Sequence, residues 1–251
     1  MGTRRAAAGT AVVPMSVEIA SARAAVYRLL AEATAYPDAE SVALVRGPYL
    51  DAALWAASGI DRPTAAAVRA VRRALAELTV EAAERAFVST FGHARPQRAV
   101  PFECPYVTTN LFQESDVLAD IAGFYRAFGV EPASGRAERQ DHIVLELEFM
   151  HLLAAKAAHA IERGAEEWIE IAREAQRSFF SAHLARWAAR FFRLLGEPGA
   201  PAHYAAIARL AEAFLRSESA LLGSALELAP RPVLLPDDVD ASCPLATDGA
   251  P

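Results

Sequence analysis

A chain of 251 residues, 53% of them hydrophobic, has room for one large domain or two small ones and enough apolar surface for a sizeable core. The formal net charge is −6, and −4 of it falls from Ser224 onward, so the body is close to neutral and shows no basic stripe of the kind that grips nucleic acid. The two cysteines, Cys104 and Cys243, stand far apart with no CxxC, and no apolar run reaches the ~18 residues of a membrane span; this excludes a cysteine zinc site, a disulfide framework and membrane insertion, and suits a reducing cytoplasm.

Residues 1–15 are mostly Ala, Gly and Thr around Arg4-Arg5. The twin arginine invites an export-signal reading, but the apolar run behind it is weak and ends at Pro14 and Glu18. A flexible N-terminus is predicted instead. Ser16 can cap a helix running to about Tyr36, with Val26, Leu29 and Leu30 on its apolar side and Pro37-Asp38 ending it. A weaker helical pair covers about Asp38–Ser58. Asp61-Arg62-Pro63 opens a helix to about Leu78, since proline is tolerated in a first turn. Thr79 caps another through Phe91, with Phe87 and Phe91 at i, i+4.

Residues 92–113 read as irregular because Pro96, Pro101 and Pro105 oppose a regular helix. Their core is the aromatic-bearing loop Phe102-Glu103-Cys104-Pro105-Tyr106. A loop of this length inside a compact bundle usually has a task. Ser115 or Asp116 is predicted to start the next helix, with Val117, Ile121, Phe124, Tyr125 and Phe128 on one face and Gly129 as its stop.

Asp141-His142 then suits a helix start, and the helix runs to about Arg163. It is apolar almost all round, yet it carries Glu146, Glu148 and His151. Ionisable groups on a buried helix must be paired, hydrogen-bonded or open to a groove. Gly164 separates it from a helix over about Glu166–Leu195, with His183, Trp187, Phe191 and Leu194 on one side. A Gly/Pro loop and a last helix over about Ala202–Leu222 follow. Residues 224–251, rich in Pro and Asp, read as a disordered tail. The expected fold is all-α, a single compact helical bundle over residues 16–223 with disordered N- and C-terminal tails.

Motifs for chemistry are sparse. Glu148 and His151 form a Glu-x-x-His pair, but di-iron bundles need that spacing on two helices with two further carboxylates, so a structural pair is the better reading. His151 and His159 are too far apart along one helix to share an ion, and no metal-ligand cluster emerges. Phosphate-binding loops and a nucleophile elbow are missing. Ser89 with His93 or Cys104 has nothing to orient a base. A helical metal-dependent or nucleotide-hydrolysing enzyme stands as the alternative reading. A helical transcription regulator would need a DNA-binding helix-turn-helix, of which the opening helix gives no sign.

The segments FGHA, ECPYVTTNLFQESDVLADIAGFYRAFGV and DHIVLELEFMHLLAAK together resemble the TorD/DmsD/NarJ family of redox-enzyme maturation chaperones. They are most similar to the chaperones of type II DMSO reductase-family enzymes, which include ethylbenzene, dimethyl sulfide, selenate and chlorate oxidoreductases. Thr90 stands where that family usually has Leu, and Cys104 and Val107 where relatives often have Pro and Glu. The resemblance implies a non-enzymatic, cytoplasmic, all-helical chaperone. It would bind the apo catalytic subunit of a molybdoenzyme through its twin-arginine signal peptide and prevent premature Tat export. The client is expected to carry bis-molybdopterin guanine dinucleotide, inserted while the chaperone holds it. The chaperone itself would bind no metal or cofactor, and would be a monomer or a domain-swapped dimer.

A twin-arginine peptide offers guanidinium groups and then an apolar segment, so its receptor should offer carboxylates beside an apolar groove. Glu103, Asp141 and either Glu146 or Glu148 are the candidate carboxylates; the last two lie about 200° apart on a helix and cannot both face one groove. Phe87, Phe91, Tyr106, Phe112 and Tyr125 are candidate walls. Asp141-His142 serves equally as a cap or a contact, and an exposed His142 would make release pH-sensitive.

Overall fold

The computed structural model describes residues 15–92, 99–131 and 139–232. The tails expected at residues 1–14 and 233–251 lie outside the described residues, as does His93. Eleven helices account for most of what is described: α1 (Val17–Thr34), α2 (Ala39–Arg46), α3 (Pro48–Ala56), α4 (Arg62–Leu75), α5 (Val80–Phe91), the single turn α6 (Cys104–Val107), α7 (Leu111–Ala127), α8 (Ile143–Glu162), α9 (Glu166–Ala182), α10 (Leu184–Leu195) and α11 (Ala202–Leu222). Among the described residues there is no strand, and the one isolated bridge pairs Phe102 with His142 antiparallel. No described helix is long and apolar enough to cross a membrane.

Side-chain caps set most helix starts. Ser16, Asp38, Asp61 and Thr79 sit in extended backbone, and each accepts a hydrogen bond from the N–H three residues on, at Ile19, Ser41, Thr64 and Ala82. At the other ends, Gly129, Gly164 and Gly223 take positive φ, a conformation that costs glycine nothing.

α8 is the spine. It runs along α1 on one side and α9 on the other, and α10 and α11 close the core around Trp187, Phe191, Phe192 and Phe214, all fully buried. A buried ion pair ties α1 to α11: Arg23 donates from two nitrogens to Glu218 at 2.6 Å each, and the Tyr27 hydroxyl donates to the same carboxylate at 2.7 Å.

Four expectations need correction. First, α7 begins at Leu111, not at Ser115 or Asp116. Asn110 caps it by accepting from the Gln113 N–H, and the Gln113 side chain reaches back to the Thr109 N–H and hydroxyl, so the start is held from both directions. Second, the stretch 92–113 is not wholly irregular: Pro105 sits in the first turn of α6, where its missing N–H does no harm. Third, the helix expected over 166–195 is two helices, α9 and α10, broken at His183, whose backbone leaves the helical region (φ −122°, ψ −88°). Fourth, the first part of the tail expected from 224 is docked. The Glu227 N–H donates to the Ala185 carbonyl at 2.7 Å, Arg190 donates to the Ala229 carbonyl at 2.6 Å, and Arg231 pairs with Glu197.

Candidate functional site

A second group of buried polar side chains, apart from the Arg23–Glu218 pair, gathers beneath the turn that carries α6. The segment 101–104 is stitched to 141–143 by backbone bonds: the Glu103 N–H donates to the Asp141 carbonyl at 3.0 Å, and the Ile143 N–H to the Pro101 carbonyl at 2.8 Å. Asp141 does not cap its own helix; that place belongs to His142, whose Nδ1 accepts from the Val144 N–H. Asp141 caps α6 across space, accepting from the Cys104 N–H at 3.0 Å. Its carboxylate is fully buried and gripped by Arg139, with Nε and Nη2 donating to its two oxygens at 2.8 Å each. Arg139 Nη1 donates to Glu114 on α7 at 2.7 Å, and the guanidinium lies over the Phe102 ring, 5.0 Å from its centre. Burial by itself would raise the Asp141 pKa; the bonds from Arg139 and Cys104 hold it below the usual carboxylate range. Burial beside Asp141 pushes the Cys104 thiol up, so it stays protonated and unreactive.

A second set of acids lies deeper. Glu103 Oε2 bonds to His183 Nδ1 at 2.9 Å, and His183 Nε2 reaches Asp120 of α7 at 3.2 Å. That grip places the His183 ring at the α9–α10 break. Glu146 accepts from the Trp187 indole N–H at 3.1 Å. One oxygen of Glu103 and one of Glu146, both buried, have no donor within hydrogen-bond distance, and the two carboxyls are within reach of each other. Burial, with the Glu103 charge beside it, pushes the Glu146 pKa well above the usual carboxylate range.

This arrangement corrects the expected groove. Glu103, Asp141 and Glu146 are fully buried on internal partners and present no free face to a peptide in this conformation. The reason is that an acid in an apolar interior needs local partners: Arg139 gives Asp141 a counter-charge, His183 gives Glu103 a ring nitrogen and Trp187 gives Glu146 an N–H. Glu148, on the opposite side of α8 as helix pitch requires, is half-buried and pairs with Arg28 at 3.2 Å.

The aromatic candidates divide. Tyr106 is buried, its hydroxyl bonded both ways to the Val100 backbone and its ring against Trp187. Tyr125 is buried, with its hydroxyl on the Gln140 carbonyl. Phe91 is core, between Phe191 and Tyr204. Phe87 is half-buried against Tyr36 and Phe91. Phe112 alone of the five stands in solvent, 86% exposed beside Leu111. His142 is half-buried with its ring edge-on to Phe102 at 5.1 Å. Thus the turn unites Glu103, Tyr106, Asp141, His142 and Glu146, while Phe87 and Phe91 belong to the packing of α5.

Sequence reasoning missed Arg139, Glu114, His183 and Trp187 as polar partners. Arginine next to an acid-bearing helix start was the one available signal. Glu148 and His151 do not act as a metal pair: His151 Nδ1 bonds to the Ala24 carbonyl at 2.9 Å. Among the described residues no group of three or more His, Cys, Asp or Glu side chains is placed to hold a metal ion.

Comparison with known proteins places this geometry in context. A family model described as the nitrate reductase delta subunit matches residues 58–193, more than half of the chain. The perchlorate reductase assembly chaperone protein of Dechloromonas aromatica is 29% identical over 199 residues, covering 77% of this chain and 87% of that one. The chaperone protein TorD of Vibrio cholerae is 28% identical over 141 residues, 56% of this chain and 62% of TorD. The selenate reductase assembly chaperone protein of Thauera selenatis is 34% identical over 79 residues, 32% of this chain and 40% of that one.

Proposed function

The chain belongs to the nitrate reductase delta subunit family, the TorD/NarJ group of redox-enzyme maturation chaperones, and from that premise we propose that it is the assembly chaperone of a type II DMSO reductase-family molybdoenzyme. It binds the apo catalytic subunit through the twin-arginine signal peptide and holds it back from export while bis-molybdopterin guanine dinucleotide is inserted. Its work is binding, not catalysis, and it carries out this step in the cytoplasm without a metal or cofactor of its own, as a monomer or a domain-swapped dimer.

One observation carries the reading from family to mechanism. The junction of the α6 turn with α8 already grips a guanidinium, through two carboxylates and an aromatic face, all from different parts of the chain. That is the chemistry a receptor for paired arginines requires. The exposed Leu111-Phe112 pair offers apolar surface at the start of α7, the helix that supplies Glu114.

Co-expression with a candidate catalytic subunit tests the proposal. The complex should form with the subunit bearing its twin-arginine segment and dissociate once the cofactor is inserted. Equal capture of a subunit lacking that segment would remove the signal peptide from the account.

A further inference from the structure

Arg139 is an unusual structural arginine. Its guanidinium is held as a ligand is held: a bidentate carboxylate from Asp141, a second carboxylate from Glu114 and the Phe102 ring beneath. Asp141 is fully buried, but 39% of the Arg139 side chain is exposed, so the seat opens to solvent on the side from which Arg139 itself enters. Along α7, Glu114, Asp116 and Asp120 precede its one cation, Arg126 in the last turn.

We propose that Arg139 is an intramolecular stand-in for an arginine of the client peptide, and that docking is an exchange in which the peptide's guanidinium takes the seat between Asp141, Glu114 and Phe102 while Arg139 swings out to solvent. The inference rests on the reading above, that the ligand carries paired arginines. Exchange solves a physical problem. A buried Asp141 left without a cation would be strongly destabilising, so an empty receptor of this kind needs an occupant of its own. It also sets affinity, because the peptide must compete with a side chain that is always present. Apparent affinity falls by the fraction of time the seat is open.

The test uses the full chain and three forms of it: wild type, Arg139→Ala and Arg139→Lys. The probe is a synthetic peptide with two consecutive arginines ahead of an apolar run, titrated by calorimetry. Removing the competitor should tighten binding about tenfold in Arg139→Ala, with Arg139→Lys, which cannot fork onto Asp141, in between. If wild type binds and Arg139→Ala binds equally or more weakly, the exchange is overturned while the functional reading stands. If none of the three binds, the functional reading fails and the exchange with it.

Ethylguanidinium guards against loss of fold in the variant. It should raise the melting temperature of Arg139→Ala and leave that of wild type unchanged. An unaltered variant would show that the seat takes no free guanidinium, and would overturn the inference independently of any peptide.

Discussion

Glu103 and Glu146, one on a turn and one on the central helix, lie close together in the core, each with one buried oxygen that has no donor. The rest of their surroundings is fixed by His183 and Trp187, which occupy the outer oxygens. The relationship makes stability respond to alkali. Glu146 has a folded-state pKa raised well above its unfolded one, so the folded chain binds a proton that the unfolded chain releases from about pH 4.5 upward. Stability from this group is complete below that pH and falls as pH climbs toward the raised value. Glu146→Gln keeps a donor for Glu103 and an acceptor for Trp187. Urea midpoints measured from pH 5 to 9 should decline for wild type and flatten for the variant. Parallel slopes would exclude a raised Glu146 pKa as the cause.

His203 gives the opposite slope. Burial lowers its pKa to about 4, so it folds neutral and becomes charged in the unfolded chain below about pH 6.5. Its contribution is present above pH 6.5 and is lost as pH falls toward 4, a change of up to about 3 kcal/mol. His203→Gln should remove that part of the acid-side decline, read as the difference between the two stability curves between pH 7 and 4.

Arg23 and Glu218 test the buried tie between α1 and α11. Glu218→Gln leaves a fully buried guanidinium without its carboxylate and should cost about 3–5 kcal/mol in chemical denaturation. The double variant Arg23→Met, Glu218→Leu should recover most of that loss. A double variant as unstable as the single one would mean that packing, not the stranded charge, sets the cost.

Phe112 separates binding from folding. Because it is 86% exposed, Phe112→Ser should change stability by no more than about 0.5 kcal/mol. As a wall for the apolar part of a signal peptide it should weaken peptide binding severalfold by calorimetry. Unchanged affinity would place the apolar contact elsewhere.

How much of this was legible in the sequence differs by range of interaction. Local signals read true. Ser16, Asp38, Asp61 and Thr79 start the helices that their side chains mark, and the angular offset of Glu146 from Glu148 sends one inward to Trp187 and the other out to Arg28. Contacts between distant segments did not. Asp141 looks like a cap for the helix that follows it, yet it caps α6 far upstream. The break at His183 leaves no trace in the apolar period, because Phe179, Trp187 and Phe191 continue inward on either side of it. Asn110 is masked in the sequence by the surrounding prolines, which read as a longer loop. The apolar setting of the carboxylates implies that they need partners, but a one-dimensional pattern does not distinguish an internal cation from a visiting one.

The segment after α11 has a practical consequence. Leu226 and Ala229 pack onto the core, and Arg190 is anchored to a carbonyl beyond the last helix. Trimming the chain at Gly223, where helix content ends, would therefore strip a wall from α10 and free Arg190. A shortened protein that aggregates would report this lost cladding rather than a need for the removed residues in client recognition.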